Sequence, residues 1–117
     1  LPKKENPFKP YRNKWERDFA DFLTREWQDE IGVIWRYESL SLPIGKQDGK
    51  QYWYTPDFIV AHALMNNPGF WKICCYEVKG YQREAGMVRL RSAAKQYPEY
   101  IFKLVTRENG IWMFETV

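Results

Sequence analysis

Asp57, Glu77 and Lys79 are the residues of this chain whose types and spacing can do chemistry, with Glu16 as a fourth. Asp57 stands in Tyr54-Thr55-Pro56-Asp57-Phe58-Ile59-Val60, and the pair stands in Cys75-Tyr76-Glu77-Val78-Lys79-Gly80. Both stretches read as strands, yet both carry charges where a buried strand carries apolar side chains. Alternation puts Glu77 and Lys79 on one face with Trp71, Ile73 and Cys75, and Tyr76 and Val78 on the other. Burying an unpaired charge is costly, so an inward charge needs a partner or a function. If the two strands are neighbours, Asp57 and Glu77 converge and repel, and a divalent cation between them removes the repulsion. The competing reading is a buried salt bridge of Lys79 with one acid, which leaves the other carboxylate without a partner.

Glu16 enters through a helix. Pro2, Pro7 and Pro10 exclude a helix over residues 1–12 and favour an extended arm. Asn13 is a good N-cap, with Glu16 three residues on as in a capping box. The helix is expected to run to about Glu30, with Gly32 as its stop. Trp15, Phe19, Phe22, Leu23 and Trp27 form one stripe at helical spacing. Glu16 lies beside Phe19, Ala20 and Leu23, so it either points inward or serves only as the capping acid. Glu26 is the weaker competitor.

The remaining elements must bring these groups together. Gly32 to Glu38 reads as a first strand, and Leu40, Leu42 and Ile44 alternate beyond it. Gly45 to Lys50 is a polar turn, and Gln51 to Val60 a second strand. Pro56 inside that strand implies an edge, bulge or break, a kind of irregularity often found beside active sites. Ala61 to Gly69 is expected as a loop or single helical turn carrying His62, the only histidine, and Trp71 to Lys79 as the third strand. Arg83 to Tyr97 is a helix with Met87, Leu90, Ala94 and Tyr97 as its apolar stripe, ended by Pro98. Tyr100 to Arg107 and Ile111 to Thr116 flank Asn109-Gly110, a strong hairpin signal. The order α-β-β-β-α-β-β gives an α/β fold with a mixed central sheet flanked by helices, the second helix permitting a parallel crossover.

Pro-Asp on one strand and Glu-x-Lys on the next resemble the PD-(D/E)xK nuclease superfamily. The likeness is closest to the small phage junction-resolving enzymes of the endonuclease I type. It spans Trp15-Glu16-Arg17, Tyr54 to Phe58, Glu77 to Gly80, the basic helix Arg89 to Pro98 and Ile101 to Val105. One departure is the long connection from Val60 to Trp71, where that family can use a tighter turn. The resemblance implies a restriction-endonuclease-like core and Mg²⁺-dependent hydrolysis of DNA phosphodiester bonds, with Mn²⁺ substituting. It implies catalytic duty for Glu16, Asp57, Glu77 and Lys79. Asp57, Glu77 and the Val78 backbone carbonyl would hold the metal, and Glu16 a second metal or a metal-bound water. Lys79 would position or deprotonate the attacking water. A Holliday junction resolvase acting as a homodimer is the first expectation, since two cuts need two sites. A nicking or DNA-processing nuclease of the mismatch-repair or transposon-end type is the second. A non-catalytic DNA-binding accessory protein is the third, and inward carboxylates argue against it.

Composition sets the frame. The chain has 117 residues, 44% hydrophobic and 18% aromatic, which suits one globular domain over residues 13–117 and excludes a disordered chain. The net charge of +3 is mild, but Lys3, Lys4, Lys9, Arg12, Lys14 and Arg17 load the front of the chain. Lys9, Arg12 and Lys14, with Arg83, Arg89, Arg91 and Lys95 of the second helix, are candidate phosphate contacts or solvated faces. Gln82 is a turn residue or a phosphate contact. Tyr54 and Thr55 read as strand packing and the six tryptophans mainly as core. Cys74 and Cys75 are adjacent on one strand, point to opposite faces and read as buried thiols in a reducing compartment. No apolar run nears membrane-spanning length and none resembles a signal peptide, so a cytoplasmic protein is expected, and the resemblance implies a bacterial host or phage-infected cell.

Overall fold

A computed structural model describes residues 5–27, 31–79 and 84–117. The sequence folds as α1 (Lys14–Trp27), β1 (Val33–Tyr37), β2 (Leu42–Gln47), β3 (Lys50–Tyr54), β4 (Phe58–Ala63), β5 (Trp71–Val78), α2 (Glu84–Gln96), β6 (Ile101–Glu108) and β7 (Ile111–Thr116). It is a mixed α/β fold with two helices and a mixed central sheet. The sheet order is β1-β4-β5-β6-β7, and β2-β3 is a separate two-stranded sheet. β5 and β6 are parallel, joined through α2 as the crossover requires, and every other pairing in the central sheet is antiparallel.

The expected order is corrected in one respect: five strands, not three, precede α2. Pro56 does more than bend a strand. It has no N–H to give a ladder, it is fully buried, and the chain leaves one sheet at Tyr54 and enters another at Phe58. The polar turn expected over 45–50 tightens to Asp48 and Gly49, both at positive φ (52° and 77°), as a two-residue hairpin turn demands. Asn109 and Gly110 make the corresponding turn between β6 and β7, at φ 50° and 78°. β4 continues to Ala63, so His62 lies in a strand rather than a loop, with its ring 5.5 Å from that of Trp27. The connection to β5 shortens accordingly to residues 64–70.

Three layers result. α1 covers one face of the sheet, packing Phe19, Ala20 and Leu23 on Phe58, Val60, Cys74, Tyr76, Val78 and Val105. α2 and the β2-β3 hairpin cover the other, where Leu42, Tyr54, Cys75, Met87, Leu90, Ala93, Phe102 and Leu104 meet. β5 is therefore buried on both faces over its second half, and Cys74 and Cys75 lie in opposite layers as free thiols. Burial pushes the Cys75 thiol up to about 12.

Residues 5–12 are not the extended arm expected. Asn6 folds them back: its Oδ1 accepts from Phe8 N at 2.8 Å and its Nδ2 donates to Tyr11 O at 2.6 Å. Tyr11 then packs on Tyr37 and Phe58, with ring centroids at 4.8 and 6.0 Å. Among the described residues no helix is long and apolar enough to cross a membrane.

Candidate active site

Strand register builds the site. β1 and β4 pair Tyr37 with Phe58, and β4 and β5 pair Phe58 with Tyr76. One residue further on, Glu38, Asp57 and Glu77 stand in a row across the ends of three neighbouring strands. Glu38 N donates to Asp57 O at 2.9 Å, and Val78 N donates to Asp57 Oδ2 at 2.7 Å, so both sides of the row are fixed. Val78 itself is buried and ends β5 beside Val105.

α1 brings Glu16 over this row. Asn13 Oδ1 accepts from Glu16 N at 2.9 Å, the N-cap read from the sequence. The Glu16 carboxylate does more than cap. It is 4% exposed and accepts a hydrogen bond from the Tyr37 hydroxyl. Burial, then the bond to Glu16, raises the Tyr37 pKa, so the hydroxyl stays a donor. Glu26, the competing acid, is exposed.

Carboxylate oxygens of Glu16, Glu38 and Asp57 all lie within 4.8 Å of one another. Oxygens bound to one Mg²⁺ at about 2.1 Å stand no more than about 4.2 Å apart, so the trio is within roughly half an ångström of a ligand set. An all-oxygen set suits Mg²⁺ or Mn²⁺ rather than a softer metal. This is a different trio from the expected Asp57, Glu77 and Val78 carbonyl. Glu77 has both oxygens engaged: Oε2 accepts from the Tyr54 hydroxyl at 2.7 Å, and Oε1 pairs with Lys79 Nζ at 2.9 Å. Burial, then the Glu77 charge, raises the Tyr54 pKa and keeps that hydroxyl protonated. Tyr54 is thus more than strand packing.

Asp57 is the acid left over, as the salt-bridge reading requires. It is 4% exposed, and its pKa is pushed up to about 8 by burial first, then by the charges of Glu77 and Glu16. The Val78 amide and Lys79 oppose this only in part. Four carboxylates meet two cations here, since Arg12 Nε lies 2.7 Å from Glu38 Oε1 and Lys79 pairs with Glu77. The Arg12 contact is off-axis, and the buried Glu38 Oε1 accepts no hydrogen bond.

Glu38 is the residue that sequence reasoning missed. It closes the first strand at φ 46°, a left-handed conformation that a non-glycine residue holds only when its surroundings impose it. Gly86 was also missed. A Cβ there would stand 3.2 Å from Lys79 Nζ, so the glycine lets α2 pass close to the lysine.

Asp57, Glu77 and Lys79 line one cavity of about 260 Å³, together with Arg12, Trp53, Tyr54, Thr55, Gly86 and Arg89. Of the basic residues expected to meet phosphates, Arg12 and Arg89 border this cavity. Lys14 pairs with Asp18 at 3.8 Å, Lys9 and Lys95 are exposed elsewhere, and Arg91 lines a separate cavity with Met87, Leu104, Glu115 and Val117. Arg83, Gln82 and Gly80 lie outside the described residues. No known protein family, curated protein or solved structure matches this chain.

Proposed function

We propose that the chain is a Mg²⁺-dependent DNA endonuclease of the PD-(D/E)xK kind, acting on branched DNA as a homodimer. The observation that carries this reading is the gathering of acid: Glu16, Asp57 and Glu77 are buried together with the half-buried Glu38 beside them, and the cations paired to them are the half-buried Lys79 and the exposed Arg12. Burial and the neighbouring acids push the Asp57 pKa up to about 8, and such perturbed acids cluster at functional sites, where a bound cation relieves the repulsion. Glu16, Glu38 and Asp57 would hold the ion, with Glu77, engaged by Tyr54 and Lys79, lying on the side toward the lysine. A divalent ion held there supplies Lewis acidity toward a phosphodiester and acidifies a water.

The chain's own groups do the rest. Tyr54 fixes Glu77, and Glu77 fixes Lys79 at the cavity wall. Lys79 Nζ then faces the scissile phosphate, orienting the attacking water and offsetting charge on the phosphoryl oxygens. Arg12 and Arg89 border the same cavity and would hold flanking phosphates, which position the strand without reading sequence. Paired cuts across a branch need two such centres, which a two-fold dimer provides.

The test is cleavage of linear duplex, flapped and four-way junction DNA with Mg²⁺, Mn²⁺ or chelator. Asp57→Asn and Lys79→Ala are each expected to lower cleavage about 10²-fold or more while leaving DNA binding in Ca²⁺ intact. Cutting at the parental rate by either variant would refute the site. Binding without any cleavage by the parent would select the accessory-protein reading.

A further inference from the structure

We infer that Trp53 is a stacking platform for an unpaired DNA base beside the scissile phosphate, and so a determinant of substrate choice. The inference rests on the nuclease reading and says which DNA the same site would take. Trp53 is 52% exposed although it is an indole, and it lines the cavity that holds Asp57, Glu77 and Lys79. Alternation along β3 explains why: Tyr54 turns inward to Glu77, and Trp53 therefore turns outward at the cavity mouth. The strand that carries it is tied down. Trp53 is in register with Pro43 on β2, and α2 ties that strand down through Gln96 Nε2 donating to Ile44 O at 2.8 Å and the Tyr97 hydroxyl donating to Pro43 O.

An exposed indole that shares its cavity with Arg12 and Arg89 has the make-up of a single-strand site, an aromatic face near cations that can meet the backbone. In continuous duplex each base is already stacked on its neighbours and the indole gains nothing. At a flap or branch a base beside the cut is free to leave its stack and lie on Trp53. The discrimination is thus by base availability, not base identity, because every base offers a π-face. Trp71 is the built-in comparison. It is 45% exposed, but it begins β5, six residues and roughly 20 Å from Glu77.

The experiment has two readouts. The first is the ratio of kcat/KM on a flapped duplex to that on the matching continuous duplex. Trp53→Ala is expected to lower this ratio roughly tenfold or more, Trp53→Phe to lower it only slightly, and Trp71→Ala to leave it unchanged. The second does not need cleavage: 2-aminopurine in the flap next to the branch, with Ca²⁺ in place of Mg²⁺. Its fluorescence is expected to be quenched by the parent and by Trp71→Ala but not by Trp53→Ala. An unchanged ratio and unchanged quenching with Trp53→Ala overturn the inference, as does equal loss on both substrates. Quenching that depends on Trp53 without cleavage of any DNA would uphold the platform and sink the nuclease reading.

Discussion

Replacing Asp57 by asparagine removes one charge and little else, because the amide oxygen can still accept from Val78 N. The expected effect on stability follows from the sign of the shift. The folded-state pKa of Asp57 is raised from 3.8 to about 8. At a pH below its unfolded value the group is protonated in both states. As pH rises from about 4 to about 8, only the unfolded chain gives up the proton, so native stability falls by up to about 1.4 kcal/mol per unit. Four units set a ceiling of about 6 kcal/mol, and sharing of the repulsion with Glu16 and Glu77 brings the expected cost to roughly 3 kcal/mol. For a domain of this size that is roughly 10 °C in Tm. In chelator at about pH 8, Asp57→Asn is therefore expected to melt roughly 10 °C above the parent, and at about pH 4 the two are expected to coincide. Mg²⁺ should raise the Tm of the parent at the higher pH and leave the variant where it is. Calorimetry or circular dichroism at both pH values, with and without Mg²⁺, makes the measurement. A variant that melts below the parent at both pH values would refute the reasoning, since Asp57 would then be a stabilising acceptor and not a strained acid.

Glu38→Gln is expected to weaken the Mg²⁺ dependence of cleavage roughly tenfold, read from a Mg²⁺ titration; no change removes Glu38 from the ligand set. Tyr54→Phe leaves a buried Glu77 oxygen without its donor, at a cost of about 1–3 kcal/mol, and should lower kcat about tenfold with little change in DNA affinity. Gly86→Ala should raise helix stability by about 0.5–1 kcal/mol and yet slow cleavage several-fold, because the new Cβ displaces Lys79. A variant that is both more stable and equally active would show that Lys79 tolerates the shift.

Local signals carried much of the fold. The Asn13 cap, the stripe of Phe19 and Leu23, the Asn109-Gly110 turn and the two-faced pattern of Trp71 to Val78 each rest on neighbours within a few residues, and each is present. Asp57 beside Glu77 was also legible, because both lie at strand ends whose pairing the pattern suggested. The failures are non-local. Pro56 signalled a break, but nothing short-range says that β3 and β4 enter different sheets. Glu38 joins the acids only through the β1-β4 register, a pairing between residues about twenty apart in the chain. The turns at residues 7–10 depend on the Asn6 side chain and on Tyr11 finding Tyr37 and Phe58, contacts that three prolines do not announce. The crowding of Lys79 by α2 is legible only once the helix is laid on the sheet.

The connection over residues 64–70 is exposed and joins two halves of unlike content. Upstream of it are Glu16, Glu38 and Asp57; downstream are Glu77 and Lys79. Under the proposed reading, a division there would part the acids that would hold the cation from the amine that would face the phosphate. Their reunion depends on the β4-β5 ladder, which spans Phe58 to Ala63. If the chain cuts DNA as proposed, a partner pair fused to the pieces would control when it does so, and the seam would be a place to install a switch.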